Sequence, residues 1–449
     1  MKDSYKNENK ELLISFLENT FFKNWRMSER PEDDSSEGFV LNNFGSLEMA
    51  IGHACNLGCI YCYYHRLGKE LYQNEPVKKS DIIDNVDKLM NFISKNNMLC
   101  NLEIFSGEVF MVPYIWEVLD IIYEYQSKKP RNKRAPSISI PTNLSFLKKP
   151  DLEVIEKIKY ETKRFNEICI NFSISGSFDG PFMDELNRPH FSKNRHYNEE
   201  FYYNFKQYCD ELRLGTHPMI YSNNIEHWID NFLWYLNESP TSLYLLEVRN
   251  MEWTPEQCAQ IFYLMRFIIN LINKRSNDLK TSVSDFLEKT KGFNLLVQPF
   301  TTVGRGFGCS LQSTLNISMN TMNLIPCHRT SYRQYTAGKF IFNKDGSYDI
   351  DPNNVEMYLA EQASDSTQIA PCTSCPISKL CGGTCLGSNY ESTGDFFTVP
   401  PSFCRLSHAK IGGIIKGFED IGYLDYYLIN STKQAKSAVK FIQKLFKDF

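Results

Sequence analysis

Cys55, Cys59 and Cys62 form a C-x3-C-x2-C cluster, Cys55-Asn56-Leu57-Gly58-Cys59-Ile60-Tyr61-Cys62, at the end of a short apolar run. Three thiolates at this spacing suit three corners of a cubane [4Fe-4S] cluster and leave its fourth iron without a protein ligand. An iron with an open position can chelate the amino and carboxylate groups of S-adenosylmethionine (SAM) and pass an electron into its sulfonium. Zinc and a disulfide are the competing readings. Zinc usually takes four ligands in paired C-x2-C or Cys/His spacing, and a disulfide framework is unexpected in a long chain with no export signal.

A second set of cysteines begins at Cys309, is followed after seventeen residues by Cys327, and continues with Cys372, Cys375, Cys381, Cys385 and Cys404. A zinc ribbon accounts for four of these and leaves three over, so two auxiliary iron-sulfur clusters are expected.

In these two sets the chain resembles the radical SAM superfamily. The first cluster, with Tyr61 before its last cysteine, is similar to the superfamily signature, and the second set is similar to the SPASM extension of its peptide and protein maturases; together they span about residues 46 to 420. The resemblance implies Cys372, Cys375, Cys381 and Cys404 on an outer cluster and Cys309, Cys327 and Cys385 on an inner one. With the SAM-binding cluster that makes three [4Fe-4S] clusters. The fourth position of the inner cluster is then open to substrate or filled by another residue. Met322, in Asn320-Thr321-Met322-Asn323, stands where the family usually has a turn glycine. An asparagine in the left-handed conformation would keep that hairpin.

The elements that must position these groups alternate. Strands are expected at 46–52, 101–105, 137–142, 168–175, 215–221 and 242–248, with helices at 79–96, 113–126, 151–160, 199–212, 225–237 and 254–273 between them. That alternation argues for parallel strands joined by crossover helices. The expected fold is α/β, a partial (β/α)6 TIM-type barrel, then a small cysteine-rich SPASM domain and a C-terminal helix. The boundaries expected are 1–45 (N-terminal helix and linker), 46–300 (barrel), 301–420 (SPASM) and 421–449 (helix).

Functional groups on such a sheet gather at the carboxyl ends of its strands. There the resemblance implies SAM contacts from Tyr61, from Ser106-Gly107-Glu108 in a Gly-Gly-Glu-Pro-like turn, from Thr142 and Asn143, from Ser177 of Ser177-Phe178-Asp179-Gly180-Pro181, and from Arg188. Glu108 is an acceptor suited to an ammonium, and the fork of Arg188 to a carboxylate. Met251 is a candidate for the adenosine or substrate side. Glu247 and Arg249 share a strand face, where an ion pair is the plainer reading. His217 reads as a satisfied core histidine or a pocket residue. His328 follows Cys327 where sulfatase-maturing relatives carry a proton-accepting Asp, which argues against that activity. Cys100, Cys169, Cys209 and Cys258 read as buried structural thiols.

Composition bounds the rest. In 449 residues, 42% hydrophobic content suffices for an ordinary core, and a net charge of -4 gives no reason to expect nucleic acid. No run approaches a membrane-spanning length, and the polar N-terminus carries no signal-type core, so a cytoplasmic protein is expected. With that compartment, fourteen cysteines point to reduced thiolates held for metal. Residues 11–25 read as an amphipathic helix and 28–38 as an acidic linker, too short together for the leader-binding domain of many peptide maturases. The basic loop 128–134 and the basic helix 433–449 are read as a solvated turn and a packed terminal helix, with leader or membrane-surface binding as alternatives.

The function expected is oxidative crosslinking of a ribosomally made precursor peptide through a thioether or carbon-carbon bond. A ferredoxin- or flavodoxin-type donor would supply the electron, and a separate leader-binding protein is a further expected partner. The alternatives are a sulfatase-maturing oxidase, a small-molecule radical SAM oxidoreductase, and a non-catalytic electron carrier or peptide-binding scaffold.

Overall fold

The computed structural model describes residues 9–20, 45–63, 76–191, 198–238, 242–243, 246–249, 251–289, 314–325, 328–330, 336, 338–343, 347–352, 372, 375–381, 385–394, 398–429 and 431–449. In chain order come α1 (Lys10–Thr20), β1 (Ser46–Ala50), α2 (Lys79–Lys95), β2 (Asn101–Phe105), α3 (Ile115–Lys128), β3 (Ser137–Thr142), α4 (Leu152–Glu167), β4 (Asn171–Gly176), α5 (Glu199–Tyr208) and β5 (Gly215–Thr216). Then follow β6 (Met219–Ile220), α6 (Trp228–Glu238), β7 (Ser242–Leu243), β8 (Leu246–Glu247) and α7 (Pro255–Asp278). The chain continues through β9 (Thr314–Ser318), β10 (Asn323–Ile325), β11 (Gly338–Phe342), β12 (Tyr348–Pro352), α8 (Leu386–Thr393), α9 (Pro401–Asp420) and α10 (Lys433–Leu445). Two compact units result. The larger comprises Asp33–His217 and Ser310–Ala363, the smaller Met1–Glu32, Pro218–Cys309 and Ser364–Phe449.

The sheet of the larger unit runs β12-β11-β10-β9-β1-β2-β3-β4-β5. β1 to β5 are parallel neighbours in sequence order, and β9 joins β1 in parallel on its other side. β10 turns back antiparallel on β9. The alternation of side chains gives the sheet two unlike faces. Leu47, Met49, Leu102, Ile104, Ile138, Ile140, Phe172 and Ile174 are all buried, each adding about 1.5–3 kcal/mol. On this face Phe165 of α4 stacks on Phe172 at 5.5 Å. The other face carries Glu48, Glu103, Ser139 and Ser173, half-buried and polar.

Three local departures from the sequence reading have physical causes. The fifth expected strand is split into β5 and β6 at Pro218, which has no N–H for a ladder. The fourth begins at Asn171 because α4 ends in a Schellman motif, with Ile170 N–H on Phe165 O and Cys169 N–H on Asn166 O, both 2.9 Å. Cys169 takes φ +61° there and is exposed, whereas Cys100, Cys209 and Cys258 are buried. In the β9–β10 turn it is Met322 itself, and no asparagine, that is left-handed, at φ +60°.

In the smaller unit α7 starts on a Thr254/Gln257 capping box with Pro255 in its first turn. α7 and α9 cross closely, since a Cβ at Gly413 would stand 2.2 Å from Phe262 O. α10 buries Val439 and Ile442, and Phe446 follows its end, stacking on Phe262 at 5.2 Å; the basic terminal helix is thus a packed one. Back in the larger unit, Arg134 of the basic loop donates to the carbonyls of Gln126, Ser127, Lys129 and Ile168, a structural staple. No helix among the described residues is long and apolar enough to cross a membrane.

Candidate active site

The loop that carries Cys55, Cys59 and Cys62 follows β1 and is held from two sides. From β2, Glu108 N–H donates to Ala54 O at 2.7 Å, and the backbone at Gly107 comes so close that a Cβ would stand 2.3 Å from His53 O and 2.5 Å from Ala54 O. Only glycine fits that approach. The Glu108 carboxylate, 1% exposed, accepts from Thr142 Oγ1 and the Asn143 N–H, each at 2.6 Å, and from the Phe110 N–H at 3.1 Å. Burial pushes its pKa up and these donors pull it back only in part. Asn143 then reaches the loop: its Nδ2 donates to Asn56 Oδ1 at 2.7 Å and lies 3.9 Å from Cys55 Sγ.

The second hold comes from the segment after β4. Gly58 N–H donates to Pro189 O at 2.8 Å, Ile60 N–H to Asn187 O at 2.9 Å, and Phe191 N–H to Asn56 O at 3.2 Å. Leu57 and His190 form an antiparallel bridge. Beneath this lacing lies a buried network centred on Asp179, which accepts from Tyr61 Oη at 2.6 Å, Asn187 Nδ2 at 3.0 Å and Arg188 Nη2 at 3.1 Å. The Arg188 guanidinium also lies 5.3 Å over the Tyr61 ring. Asp184 holds the turn from below, accepting the N–H groups of Asp179 and Gly180 and the hydroxyl of Tyr202.

The cysteines fit a cationic cluster. Burial pushes the thiol of Cys55 up to about 11 and that of Cys59 up to about 12, and the charge of Cys62 adds to both. Such thiols need a metal to become thiolates. Among the described residues no three His, Cys, Asp or Glu side chains form a group that could hold an ion, whereas a cubane spreads three thiolates over three irons.

Of the residues implied as SAM contacts, five in the larger unit fall into two bonded groups. Thr142, Asn143 and Glu108 form one chain, and Tyr61 and Arg188 another through Asp179. Ser106 Oγ is buried with no hydrogen-bond partner among the described residues. Ser177 Oγ lies 3.0 Å from His217 Nε2, while Ser175 Oγ lies 3.1 Å from His217 Nδ1. Met251 is half-buried in the smaller unit. Sequence reasoning missed Asp179, Asp184 and Tyr202 because Asp-Gly-Pro is also an ordinary turn. It also missed the pairing of the polar face, although Glu occupies the third position of both β1 and β2. On that face Glu48 Oε2 lies 3.1 Å from His328 Nδ1.

In the smaller unit Cys372, Cys375, Cys381 and Cys404 lie near enough to feel one another's charge. Burial and each other's charges push Cys372 up to about 12 and Cys404 well up, and burial followed by Cys381 takes Cys375 to about 11. His408, one turn beyond Cys404 on α9, sets Nδ1 on Cys404 O at 2.8 Å and Nε2 at 3.9 Å from Cys375 Sγ. Cys385 is the N-cap residue of α8. Cys309 and Cys327 lie outside the described residues. Glu247 accepts from Lys410 at 2.6 Å and from Arg249 at 3.2 Å, the plainer ion-pair reading.

Parallel strands with crossover helices, and a three-cysteine loop at their carboxyl ends, define a partial α/β barrel. Solved structures share it. Native anSMEcpe with bound AdoMet superposes with a TM-score of 0.60 at 13% identity, covering 86% of this chain and 100% of that one. Native anSMEcpe with bound AdoMet and Cp18Cys peptide gives 0.57 at 14%, covering 84% and 99%. At these identities the likeness is one of fold. No family model matches the chain, and no curated protein matches it in sequence.

Proposed function

We propose that this chain is a radical SAM peptide maturase of the SPASM type, making an oxidative thioether or carbon-carbon crosslink in a ribosomally made precursor peptide. One observation carries the reading: Cys55, Cys59 and Cys62 sit on a loop laced to both Ala54–Glu108 and Asn187–Phe191, in a fold that in anSMEcpe holds AdoMet and a peptide. Cys55, Cys59 and Cys62 would hold a [4Fe-4S] cluster, and the chemistry it would supply when bound is one-electron reductive cleavage of SAM for hydrogen abstraction from the peptide.

The chain's own residues have separable tasks in this reading. Gly107 and Glu108 fix the start of the cysteine loop, Asn143 steadies Cys55, and the Asp179 network fixes Tyr61. Ser177 and Ser106 offer hydroxyls to the cofactor. Cys372, Cys375, Cys381 and Cys404 hold an auxiliary cluster, and Cys309, Cys327 and Cys385 a second, able to accept the electron released when the new bond closes. A ferredoxin- or flavodoxin-type donor, a separate leader-binding protein and a cytoplasmic setting belong to the same proposal.

The test is anaerobic. Reconstituted protein is analysed for iron and sulfide, then given SAM and dithionite, and 5′-deoxyadenosine is assayed in wild type and in a Cys55→Ala, Cys59→Ala, Cys62→Ala variant. About twelve irons per chain and nucleoside from the wild type alone are expected. About four irons, or no nucleoside from a demonstrably reduced cluster, would return the chain to the electron-carrier or scaffold class.

A further inference from the structure

Across the polar face of the larger unit's sheet, neighbouring strands align one residue each. Asn316 on β9, Glu48 on β1, Glu103 on β2, Ser139 on β3 and Ser173 on β4 stand in register. Two carboxylates directly opposite on adjacent strands, about 4.8 Å apart at the backbone, repel unless positive charge or donors lie against them. Glu48 has such partners. Its Oε2 takes Asn316 Nδ2 at 2.6 Å and faces His328 Nδ1 at 3.1 Å. Glu103 is poorer: among the described residues its carboxyl takes one hydrogen bond, from Ser139 Oγ at a long 3.4 Å.

Asn316 supplies an independent sign of a missing donor. The residue is fully buried, and its amide cannot flip, because a flip would set Oδ1 against the Glu48 carboxylate. Its Oδ1 is therefore fixed, buried, and without a hydrogen-bond partner among the described residues. Buried acceptors are rarely left so unless a ligand or water completes them. Burial, and after it the charge of Glu48, raises the pKa of Glu103, and His328 pulls it back only in part. The row also has a neighbour toward the cysteine loop. The His328 ring lies 6.0 Å from Phe105, on the same strand face as Glu103, and 5.9 Å from Tyr63, the residue after Cys62.

We propose that the Asn316, Glu48 and Glu103 row is the subsite for an ammonium-bearing substrate side chain, of the lysine class. A primary ammonium has three N–H donors, and Asn316 Oδ1 and the Glu103 carboxyl offer it acceptor capacity that no described residue fills. A guanidinium brings five donors in a rigid fork, more than the row can satisfy. An uncharged side chain would leave the two carboxylates facing one another with only His328 between them. The aliphatic stem of such a residue would run from the row past Phe105 toward Tyr63, on the side where the cysteine loop begins. The identity of the substrate rests on the maturase reading, whereas the cation subsite does not.

The experiment uses the anaerobically reconstituted full chain and n-butylammonium chloride as the probe, titrated calorimetrically at constant ionic strength, with n-butanol and potassium chloride as controls. Wild type is expected to bind butylammonium saturably with a millimolar Kd and butanol not measurably. The near-isosteric Glu103→Gln variant, its folding checked by thermal unfolding, is expected to bind at least tenfold more weakly. Equal binding by that variant, equal binding of butanol, or displacement by potassium at matched concentration (an inorganic-ion site only) each overturn the proposal. 5′-Deoxyadenosine is assayed on the same wild-type samples. Butylammonium binding by a wild type that makes no nucleoside would sink the enzyme reading alone.

Discussion

His217 shows how one residue can set the chemistry of two others. Its ring bridges Ser175 and Ser177, and burial lowers its pKa to about 4, so at neutral pH it is a neutral imidazole with one donor and one acceptor nitrogen. The two serines therefore play opposite roles toward it, which leaves the Ser177 hydroxyl a defined polarity toward a cofactor. Replacing the ring with His217→Phe removes both bonds from hydroxyls in this buried setting, at about 1–3 kcal/mol. If Ser177 touches SAM, the variant's Kd for SAM should rise about tenfold by anaerobic calorimetry, and Ser177→Ala added to it should cost little more. Full additivity of the two changes would make His217 merely structural. The linkage has a sign: the folded pKa is depressed, so the stabilisation from neutral His217 is complete above about 6.5 and is lost as pH falls through about 4.

At the scale of elements, the same backbone logic that ends α4 predicts a gain. Cys169 occupies the C′ position of the Schellman motif at φ +61°, where glycine is the usual residue because a Cβ is penalised there. It is exposed, so its side chain returns little packing. Cys169→Gly should raise stability by about 1 kcal/mol, read as a higher midpoint in urea with an unchanged slope; a lower midpoint would refute the strain argument. Met322 is left-handed too, but it is 4% exposed, and burying a methionine is worth about 1.5–3 kcal/mol, more than the strain, so the same replacement there is no gain. These contrasts also mark what the sequence made legible. Alternation in Ser46–Ala50 and Ser137–Thr142 gave the strands, and cysteine spacing gave the loop. Whether Cys169 would be buried was not readable, because the helix terminus that exposes it is set by φ. Nor were Asn143 with Asn56 or Asp179 with Tyr61, pairs 87 and 118 residues apart that only the completed sheet brings into contact.

At the scale of the whole molecule, two buried carboxyls, one in each unit, are held differently, and acid should expose the difference. The larger unit buries Glu108 with donors that are neutral groups, so its pKa is raised. The smaller unit buries Glu247 between two cations. Burial alone would push that carboxyl up, but Lys410 and then Arg249 outweigh it and bring it down to about 2. A depressed carboxylate pKa contributes stability that is complete above the unfolded value near 4.3 and is lost as pH falls through about 2. Lys410 and Arg249 keep 20% and 26% of their side chains exposed, so Glu247→Gln should cost toward the lower end of the ~3–5 kcal/mol typical of a broken buried pair. Hydrogen exchange at Phe262 to Ile269 of α7, followed from pH 5 to pH 2 in matched denaturant, measures it. Wild type should lose protection across that interval while Glu247→Gln, weaker at the outset, should change much less; parallel slopes in the two proteins would mean that other carboxylates govern the acid stability of this unit.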